Sequence, residues 1–475
     1  MGGLFGGLNS SLDAILALQT SLQVSQNNVS NSSTPGYARQ VATLESQPFE
    51  PSAGLTGGVR AGANLSTQDE YANQAVRYQL ASQSAFRAQS NSLASIQALF
   101  DVSGQSGVIG ALNQLFQSFS GWAATPGSTA TQQDVLAKAQ SLVQSFQSTA
   151  ASLSNATAQL NQQIGSTVQQ INQLAAHIRD DNAAILQSRV PDAGLDADLH
   201  ASLEALSKLA DNTVIFEADG TVTVLLGGQT PLVIGTQQYS IQADFTNSAG
   251  SINPGGIPDA LILDANGQDI TGQISQGSLA GLLSVRNNVL PSLQGNGQQQ
   301  GALNLLAQQV ADRVNQILTS AVTSGGQPGS PLFSYKSGSP TDVARTLGLD
   351  PSITAGALAA VQPGPSPVAN GAALALANLG NSTDPADQLA GQTILQFLSA
   401  TATDVGRRAS DALNGQDLHT QLLAQSRALQ TQISGVSLDA EAVQVMELQK
   451  GYQAAGKMIS VIDSLAQTLI DMVPM

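Results

Sequence analysis

The fold is decided by the last stretch of the chain, residues 438–473, which reads LDAEAVQVMELQKGYQAAGKMISVIDSLAQTLIDMV. From residue 445 onward, apolar residues recur at alternating spacings of three and four, which is typical of a long helix with one apolar face. This stripe consists of Val445, Leu448, Tyr452, Ala455, Ile459, Ile462, Ala466, Leu469 and Val473. Ser437 is a candidate N-cap, and Asp439 and Glu441 suit the positive end of the helix dipole. Since such a helix is stable only when its stripe is buried, the pattern predicts a partner helix.

The amino-terminal stretch carries a second apolar stripe. Its members share one helix face, with Leu12 beside them: Leu4, Leu8, Ile15, Leu18, Leu22 and Val29. The breaker-rich residues 31–36, Asn-Ser-Ser-Thr-Pro-Gly, end this helix. Both stripes are interrupted by polar or small residues, such as Gln19 and Ser25, so they pack more weakly than a coiled coil that folds alone. We therefore expect the two terminal helices to pair with each other.

Composition narrows the classes of function. The 475 residues predict about two to four domains. Charged residues make up 11% and aromatic residues 4%, both below ordinary globular usage, and Gln, Ser, Asn and Thr supply the polarity. Such a surface suits close packing against copies of the chain or its relatives, although compositional drift in a secreted protein would look similar. The net charge of −16, with cations scattered singly, argues against nucleic-acid binding. The absence of cysteine excludes disulfides, thiolate catalysis and cysteine-ligated zinc.

No targeting signal or membrane span is visible. The first eight residues lack a basic region followed by a long apolar core, so no cleavable signal peptide is predicted. No run approaches the roughly 18 apolar residues that span a bilayer. We expect no membrane contact, and a protein that is either cytoplasmic or exported without a cleaved signal peptide.

The middle of the chain is mostly helical in pattern. The expected helices cover residues 69–100, 108–119, 128–187, 198–209, 278–290, 301–320 and about 385–433. A break is expected at Pro291, and Trp122 is expected to plug the core at a helix end. Residues 41–63 predict an extended linker or a short hairpin, and residues 323–385, rich in Gly and Pro, are expected to drape over the helices. Residues 211–272 predict a β-rich insertion that opens with a hairpin.

The predicted fold class is mainly α: an elongated helical bundle with paired N- and C-terminal coiled-coil helices and a small inserted β-rich domain. The expected division has three parts. Residues 1–63 and 435–475 form the paired terminal helices with a linker. Residues 64–210 and 273–434 form the elongated bundle, and residues 211–272 form the inserted β-rich outer domain.

Residue chemistry does not predict an enzyme. The three histidines lack ligand spacing, and His419 is expected to be an interhelical residue. Asp192, Asp196 and Asp198 lack the central glycine and terminal Glu of a calcium loop, and Asp180-Asp181 is expected to be solvated surface. Phosphate-binding and nucleophile-elbow motifs are absent from the sequence. We predict no catalytic residues, no cofactor and no metal.

One local motif remains, residues 27–40, which reads NNVSNSSTPGYARQ. A turn needs only Pro35-Gly36, so the additional Asn residues, Tyr37 and Arg39 indicate contacts within or between chains, although a plain turn is not excluded. This motif closely resembles the N-terminal signature of the bacterial flagellar rod, hook and hook-associated protein family. Residues 435–441, GVSLDAE, running on to Gln449 and Tyr452, resemble the closing segment of the members that form the hook–filament junction. Further similarity lies in residues 198–209, 214–226 and 277–283.

The resemblance implies a structural subunit that leaves the cell through the flagellar type III apparatus and assembles as a ring-like or helical zone at the end of the hook. Implied partners are copies of the chain, the hook protein, a second junction protein on the filament side, and an export chaperone on the C-terminal region. The expected assembly residues are Leu8, Leu12, Ile15, Leu22, Asn28, Asn31, Thr34, Pro35, Gly36, Tyr37, Arg39, Val445, Leu448, Tyr452, Ile459, Ile462 and Leu469.

Two alternatives remain at this point. A rod or hook subunit would share the N-terminal signature, but hook proteins have mostly β middles. A secreted protein that binds or remodels cell-wall carbohydrate through residues 211–272 belongs to a different class.

Overall fold

The computed structural model describes residues 2–50, 55–100, 106–188, 192–247, 250–253 and 255–472. Its long helices are α1 (Gly2–Ser30), α2 (Glu70–Gln97), α3 (Gly107–Ala124), α4 (Thr129–Gln187), α5 (Ala193–Leu209), α8 (Ala302–Thr319), α11 (Ile394–Ser434) and α12 (Leu438–Asp471). Shorter ones are α6 (Gly277–Ser284), α7 (Leu290–Gln294), α9 (Val343–Thr346) and α10 (Gly371–Asn378). The predicted mainly α class is confirmed.

The two ends of the chain form one antiparallel helix pair, α1 with α12. Gly7 lies against Ile462 and Gly451 lies against Leu18, so the start of α1 meets the end of α12. The N-cap of α12 is Ser437, whose hydroxyl accepts a bond from the amide of Ala440 at 3.4 Å. Val473, the last member of the predicted stripe, lies outside the described residues.

A β-hairpin lies beside α1. It consists of β1 (Gln40–Glu50) and β2 (Leu55–Ser66), which pair antiparallel with an irregularity between Ala42 and Leu44. Of the two interpretations left open for residues 41–63, the hairpin is therefore the one observed.

The middle of the molecule is a helical bundle built around α2, α4 and α11. The helices α2 and α11 run antiparallel, because Gln430 donates to Asn73 at 2.7 Å and Gln83 donates to Thr420 at 2.8 Å. His419 lies between these helices, 2.8 Å from the amide oxygen of Gln79 and stacked on Phe86. The interhelical role predicted for His419 is confirmed.

The bundle core is continuous, and Trp122 lies at its end. Its side chain is fully buried at the end of α3, and its indole nitrogen donates to the carbonyl of Pro126 at 3.2 Å. The expected core plug is confirmed. The longest helix, α4, packs against α3 and α5 and spans the length of this core.

The β-rich insertion consists of small antiparallel sheets that rest on α4. One sheet has the order β3 (Asn212–Phe216), β4 (Val222–Leu226), β5 (Thr230–Ile234) and β6 (Gln237–Gln238), and the other pairs β7 (Gln242–Asp244) with β8 (Leu261–Leu263). Asn182 of α4 donates to the carbonyls of Val222 and Gly235 at 2.8 and 2.7 Å. The buried strand residues belong to the same hydrophobic cluster as the bundle. The predicted three-part domain division stays a prediction.

The segment that follows α8 is mostly irregular. Residues 323–385 contain α9, α10, several 3-10 turns and the two-residue strands β9 (Phe333–Ser334) and β10 (Gly348–Leu349). Buried leucines such as Leu332 and Leu376 fix this segment against the main core.

The structure corrects four details of the sequence interpretation. The last bundle helix begins at Ile394 rather than near 385, because Thr393 and Gln396 form a capping box there. The helix that starts with α6 does not break at Pro291 but continues to Gln294, since a π-helical turn over Val285–Val289 leads into α7, which has the proline in its first turn. The short helix expected from 198 begins at Ala193, capped by the Asp192 carboxylate.

The fourth correction concerns Asp181, which is buried rather than solvated. It lies on the side of α4 that faces α5, and one of its carboxylate oxygens has no hydrogen-bond partner. Burial raises the pKa of Asp181 to about 6, aided by the negative charge of Asp198.

Candidate assembly interface

A buried carboxylate links the two ends of the chain. Glu441, in the first turn of α12, is fully buried. Its oxygens accept bonds from the hydroxyl of Ser25, from the amide of Asn28 at 3.1 Å, and from Nε of Arg39 at 2.7 Å. Nη2 of Arg39 also donates to the side chain of Gln444 at 2.9 Å. We call Ser25, Asn28, Arg39 and Glu441 the terminal knot.

The side chain of Asn28 makes more hydrogen bonds than any other side chain of the terminal knot. Its oxygen accepts from the backbone amide of Gln40 at 2.9 Å and from the hydroxyl of Tyr37 at 2.9 Å, and its nitrogen donates to the carbonyl of Gln40 at 2.8 Å. One buried amide thus joins α1, the start of β1 and α12. An amide presents two donors and an acceptor in one plane, so neither Asp nor Leu could replace it here.

The turn after α1 is held by a chain of side-chain bonds. The amide of Asn31 donates to Asn27, and the hydroxyl of Thr34 donates to the oxygen of Asn31 at 3.1 Å. Pro35 is exposed. Burial, followed by the negative charge of Glu441, raises the pKa of Tyr37, whereas a hydrogen bond from Asn27 opposes that change. Tyr37 is therefore a neutral hydroxyl donor at physiological pH.

Gly36 allows this turn to approach the bundle closely. Its φ of +76° favours glycine, and a Cβ atom there would lie 2.1 Å from the carbonyl oxygen of Ala197 in α5. The backbone of residues 38–39 then reaches the end of α11, where the amide of Arg39 donates to the carbonyl of Ser434 at 2.9 Å. The signature turn therefore contacts the bundle at two helices, while its side chains bind the terminal pair.

The predicted apolar residues of the terminal helices divide into two groups. Those that are half-buried in the terminal helices are Leu8, Ile15, Leu22, Val445, Leu448, Ile459 and Ile462. Leu12, Tyr452 and Leu469 are exposed. Most of the predicted apolar residues are thus partly buried, whereas Leu12, Tyr452 and Leu469 remain accessible.

Away from the seam between α1 and α12, the terminal pair presents a second apolar surface to solvent. On α12 it comprises Val443, Met446, Met458, Val461 and Leu465, each more than half exposed. On α1 it comprises Phe5, Leu12 and Leu16. We call these side chains the outer face. Exposed apolar side chains gathered on one side of paired helices are typical of a surface that is covered in an assembly.

Two features of the site were missed from the sequence. Glu441 was noted only for the helix dipole, and Ser25 only as an interruption of the stripe. The sequence held one indication of this contact. Because α1 contains no Lys or Arg, Arg39 of the turn is the nearest cation for an acid that helix pairing brings beside α1. The outer face was also missed, because the heptad reading follows only one side of a helix.

Two kinds of feature are absent from the part of the chain that the structure describes. Among the described residues, no group of three or more His, Cys, Asp or Glu could hold a metal ion. Within the same part of the chain, no helix is long and apolar enough to cross a membrane. What the arrangement can do is hold two helices together and present their apolar surface.

Two protein-family models and several known proteins match this chain. The family model described as "Flagellar hook-associated protein FlgK helical domain" matches residues 93–333, and the model "Flagellar basal body rod FlgEFG protein C-terminal" matches residues 425–472. The chain is 24% identical to "Flagellar hook-associated protein 1" of Bacillus subtilis (strain 168), over 99% of both proteins. It is 26% identical to the protein of the same name from Salmonella typhimurium, over 73% of this chain and 62% of that protein.

A solved structure has the same fold. The flagellar hook junction protein FlgK from Burkholderia pseudomallei superimposes with a TM-score of 0.65 at 15% identity, covering 76% of this chain and all of that one. At that identity the match supports the architecture alone. The family model over residues 93–333 carries the assignment of the family.

Proposed function

This chain belongs to the FlgK family of flagellar hook-associated proteins, and we propose that it assembles into the hook–filament junction through its paired terminal helices. The family is one of structural flagellar proteins. We propose no catalytic role for this chain.

The observation that carries the proposal is the combination of a closed terminal knot with an uncovered outer face. Glu441, Asn28 and Arg39 hold α12 on α1 in one register. The apolar side chains that this register does not bury are then presented together on one rod. Covering them with neighbouring rods would remove their apolar area from water, which favours association.

We infer that the partners are copies of this chain in a ring-like or helical zone, the hook protein on one side and a second junction protein on the filament side. The low content of charged residues suits such contacts, because few charges must be desolvated. An export chaperone on the C-terminal region would cover the same apolar residues before assembly. Export through the flagellar type III apparatus without a cleaved signal peptide, and an extracellular location at the junction, belong to the same proposal.

The expected assembly residues fall into two roles within this proposal. Asn28, Asn31, Thr34, Gly36, Tyr37 and Arg39 hold the terminal pair and its turn in place, whereas Leu12, Tyr452 and Leu469 are available to neighbouring subunits. Pro35 is exposed beside the turn, where it is available for contact. The half-buried residues of the stripe stabilise the pair itself.

The test removes α12 and leaves the bundle. A chain ending at Ser437 should keep the fluorescence of buried Trp122 and the unfolding transition of the bundle, yet fail to bind hooks isolated from a strain that lacks this protein. The matched control is the full-length chain with Glu447→Gln, an exposed position on the same helix. Retained binding by the shortened chain would rule out assembly through the terminal helices.

A further inference from the structure

Apart from Met1, the sulfur-containing residues of this chain all lie in its C-terminal part. The chain has five methionines and no cysteine, and apart from Met1 the methionines are Met446, Met458, Met472 and Met475. With no thiol present, thioethers are the side chains that take an oxygen atom most readily, and exposure controls how fast they do so. The only tryptophan, Trp122, is fully buried.

Two of these methionines belong to the outer face of α12. Met446 is 54% exposed and Met458 is 57% exposed, and Val443 and Val461 accompany them on the same side of the helix. Neither methionine is part of the seam with α1. Their sulfur atoms are therefore accessible to a small oxidant while the helix pair remains folded.

We propose that Met446 and Met458 are oxidation sites whose conversion to sulfoxide prevents the free subunit from assembling. This inference rests on the assembly function proposed above. In the reaction, hydrogen peroxide transfers one oxygen atom to the thioether sulfur: an S–O bond forms, the peroxide O–O bond breaks, sulfur loses two electrons and water leaves.

The effect follows from the polarity of the product. A sulfoxide oxygen is a strong hydrogen-bond acceptor, and burying it against apolar side chains without a donor costs free energy. The outer face would then lose the favourable burial of a methionine side chain and acquire this penalty. The expected loss is about ten-fold in affinity for each oxidised methionine.

The same geometry separates free from assembled subunits. In the free subunit both sulfur atoms face water, whereas an assembled neighbour that packs on the outer face would cover them. Oxidation should therefore act before assembly and spare subunits already in place.

The test treats purified full-length protein with hydrogen peroxide and measures its binding to hooks from a strain that lacks this protein. Intact protein should bind, and treated protein should lose about a hundred-fold in affinity when both sites carry oxygen. Mass spectrometry should find added oxygen on Met446 and Met458, as well as on the exposed Met472, with the helical circular dichroism unchanged. Methionine sulfoxide reductases should restore binding.

Three variants separate this effect from general damage. Met446→Leu/Met458→Leu keeps the apolar face and should bind equally well before and after peroxide. Met472→Leu, a control at an exposed methionine beyond the end of α12, should remain as sensitive as the wild type. Met446→Gln/Met458→Gln should bind poorly without any oxidant.

Loss of binding by the treated double-leucine variant would overturn the proposal, as would full binding by wild-type protein that carries both sulfoxides. If untreated wild-type protein failed to bind hooks, the assembly function would fail first and this inference with it.

Discussion

At the scale of single residues, the terminal knot depends on one buried charge. Glu441 has lost all contact with water, and its compensation is the guanidinium of Arg39, which remains about a third exposed, together with two neutral donors. Removing one partner of a buried pair leaves the other without compensation, and this costs more than the pair contributes.

We expect Glu441→Gln to weaken the terminal pair by about 2 kcal/mol and to leave the bundle unchanged. The measurement is hydrogen exchange of α1 and α12, with Trp122 fluorescence reporting on the bundle alone. The control is Glu447→Gln, which should change neither. Equal exchange in the two variants would show that the knot does not hold the pair.

Asp181 makes the stability of the bundle depend on pH. Its pKa in the folded protein is about 6, above its usual value of 3.8, because it is buried and faces Asp198, although His177 acts in the opposite direction. The folded state therefore binds the proton more tightly than the unfolded state does. The stabilisation that protonated Asp181 contributes to the folded state is complete below pH 3.8 and is lost as the pH rises through 6.

Accordingly, Asp181→Asn should raise the free energy of unfolding of the bundle by roughly 1–3 kcal/mol at pH 7.5, and by less at pH 5. Denaturant titrations followed by Trp122 fluorescence at both pH values check this. Asp134→Asn, at an exposed position of the same helix, should give no such difference. A variant less stable than the wild type at pH 7.5 would contradict the sign.

The residue scale also shows what the sequence could and could not indicate. Asn28 and Arg39 were found because a plain turn has no need of them. Their partner Glu441 was not assigned, since it lies 402 residues from Arg39 and only the pairing of the helices brings it near. Asp181 was assigned to solvent because charge alone predicts exposure, and the face of α4 that meets α5 is not visible in the local pattern.

At the scale of elements, the spacing of apolar residues predicts the long helices well, whereas local capping and turn residues determine where the helices begin and end. The predicted span 128–187 differs from α4 by one residue at its start. The start of α11 was misplaced because the capping box of Thr393 and Gln396 was overlooked, and Pro291 was read as a break because a π-helical turn leaves no signature in apolar spacing.

Glycine decides how closely α2 and α6 approach each other. A Cβ atom on Gly281 would lie 2.1 Å from the carbonyl oxygen of Ala85, a contact with backbone that no side-chain rotation relieves. A Cβ atom on Gly165 of α4 would meet no atom within 4 Å apart from the neighbouring backbone of its own helix. The two glycines therefore differ in environment although both are helical.

We expect Gly281→Ala to destabilise the bundle by about 1–3 kcal/mol through overpacking, and Gly165→Ala to stabilise it by up to about 1 kcal/mol through helix propensity. Thermal unfolding of both variants measures the difference. The opposite signs make each variant the control for the other, and a stabilised Gly281→Ala would contradict the close contact.

At the scale of the whole molecule, stability is unevenly distributed. The bundle buries a continuous hydrophobic core, whereas Glu441 is the one residue of α12 that the described structure buries completely. A helix pair with so little buried area has a low free energy of local opening.

We therefore expect α1 and α12 of the free subunit to exchange amide hydrogens much faster than α4 does, and to become protected once the subunit has bound to hooks. Hydrogen exchange with mass spectrometry on both samples checks this. Equal protection of α12 and α4 in the free subunit would contradict the uneven distribution.

The wide separation of Arg39 and Glu441 along the chain has a consequence for the order of events in synthesis. The salt bridge joins two positions that lie 402 residues apart, so every residue between them must be synthesised before it can form. A chain that stops early leaves Arg39 and Asn28 without their carboxylate and α1 without its partner. The terminal knot therefore forms only after the start of α12 has been synthesised, and until then α1 has no helix to pair with.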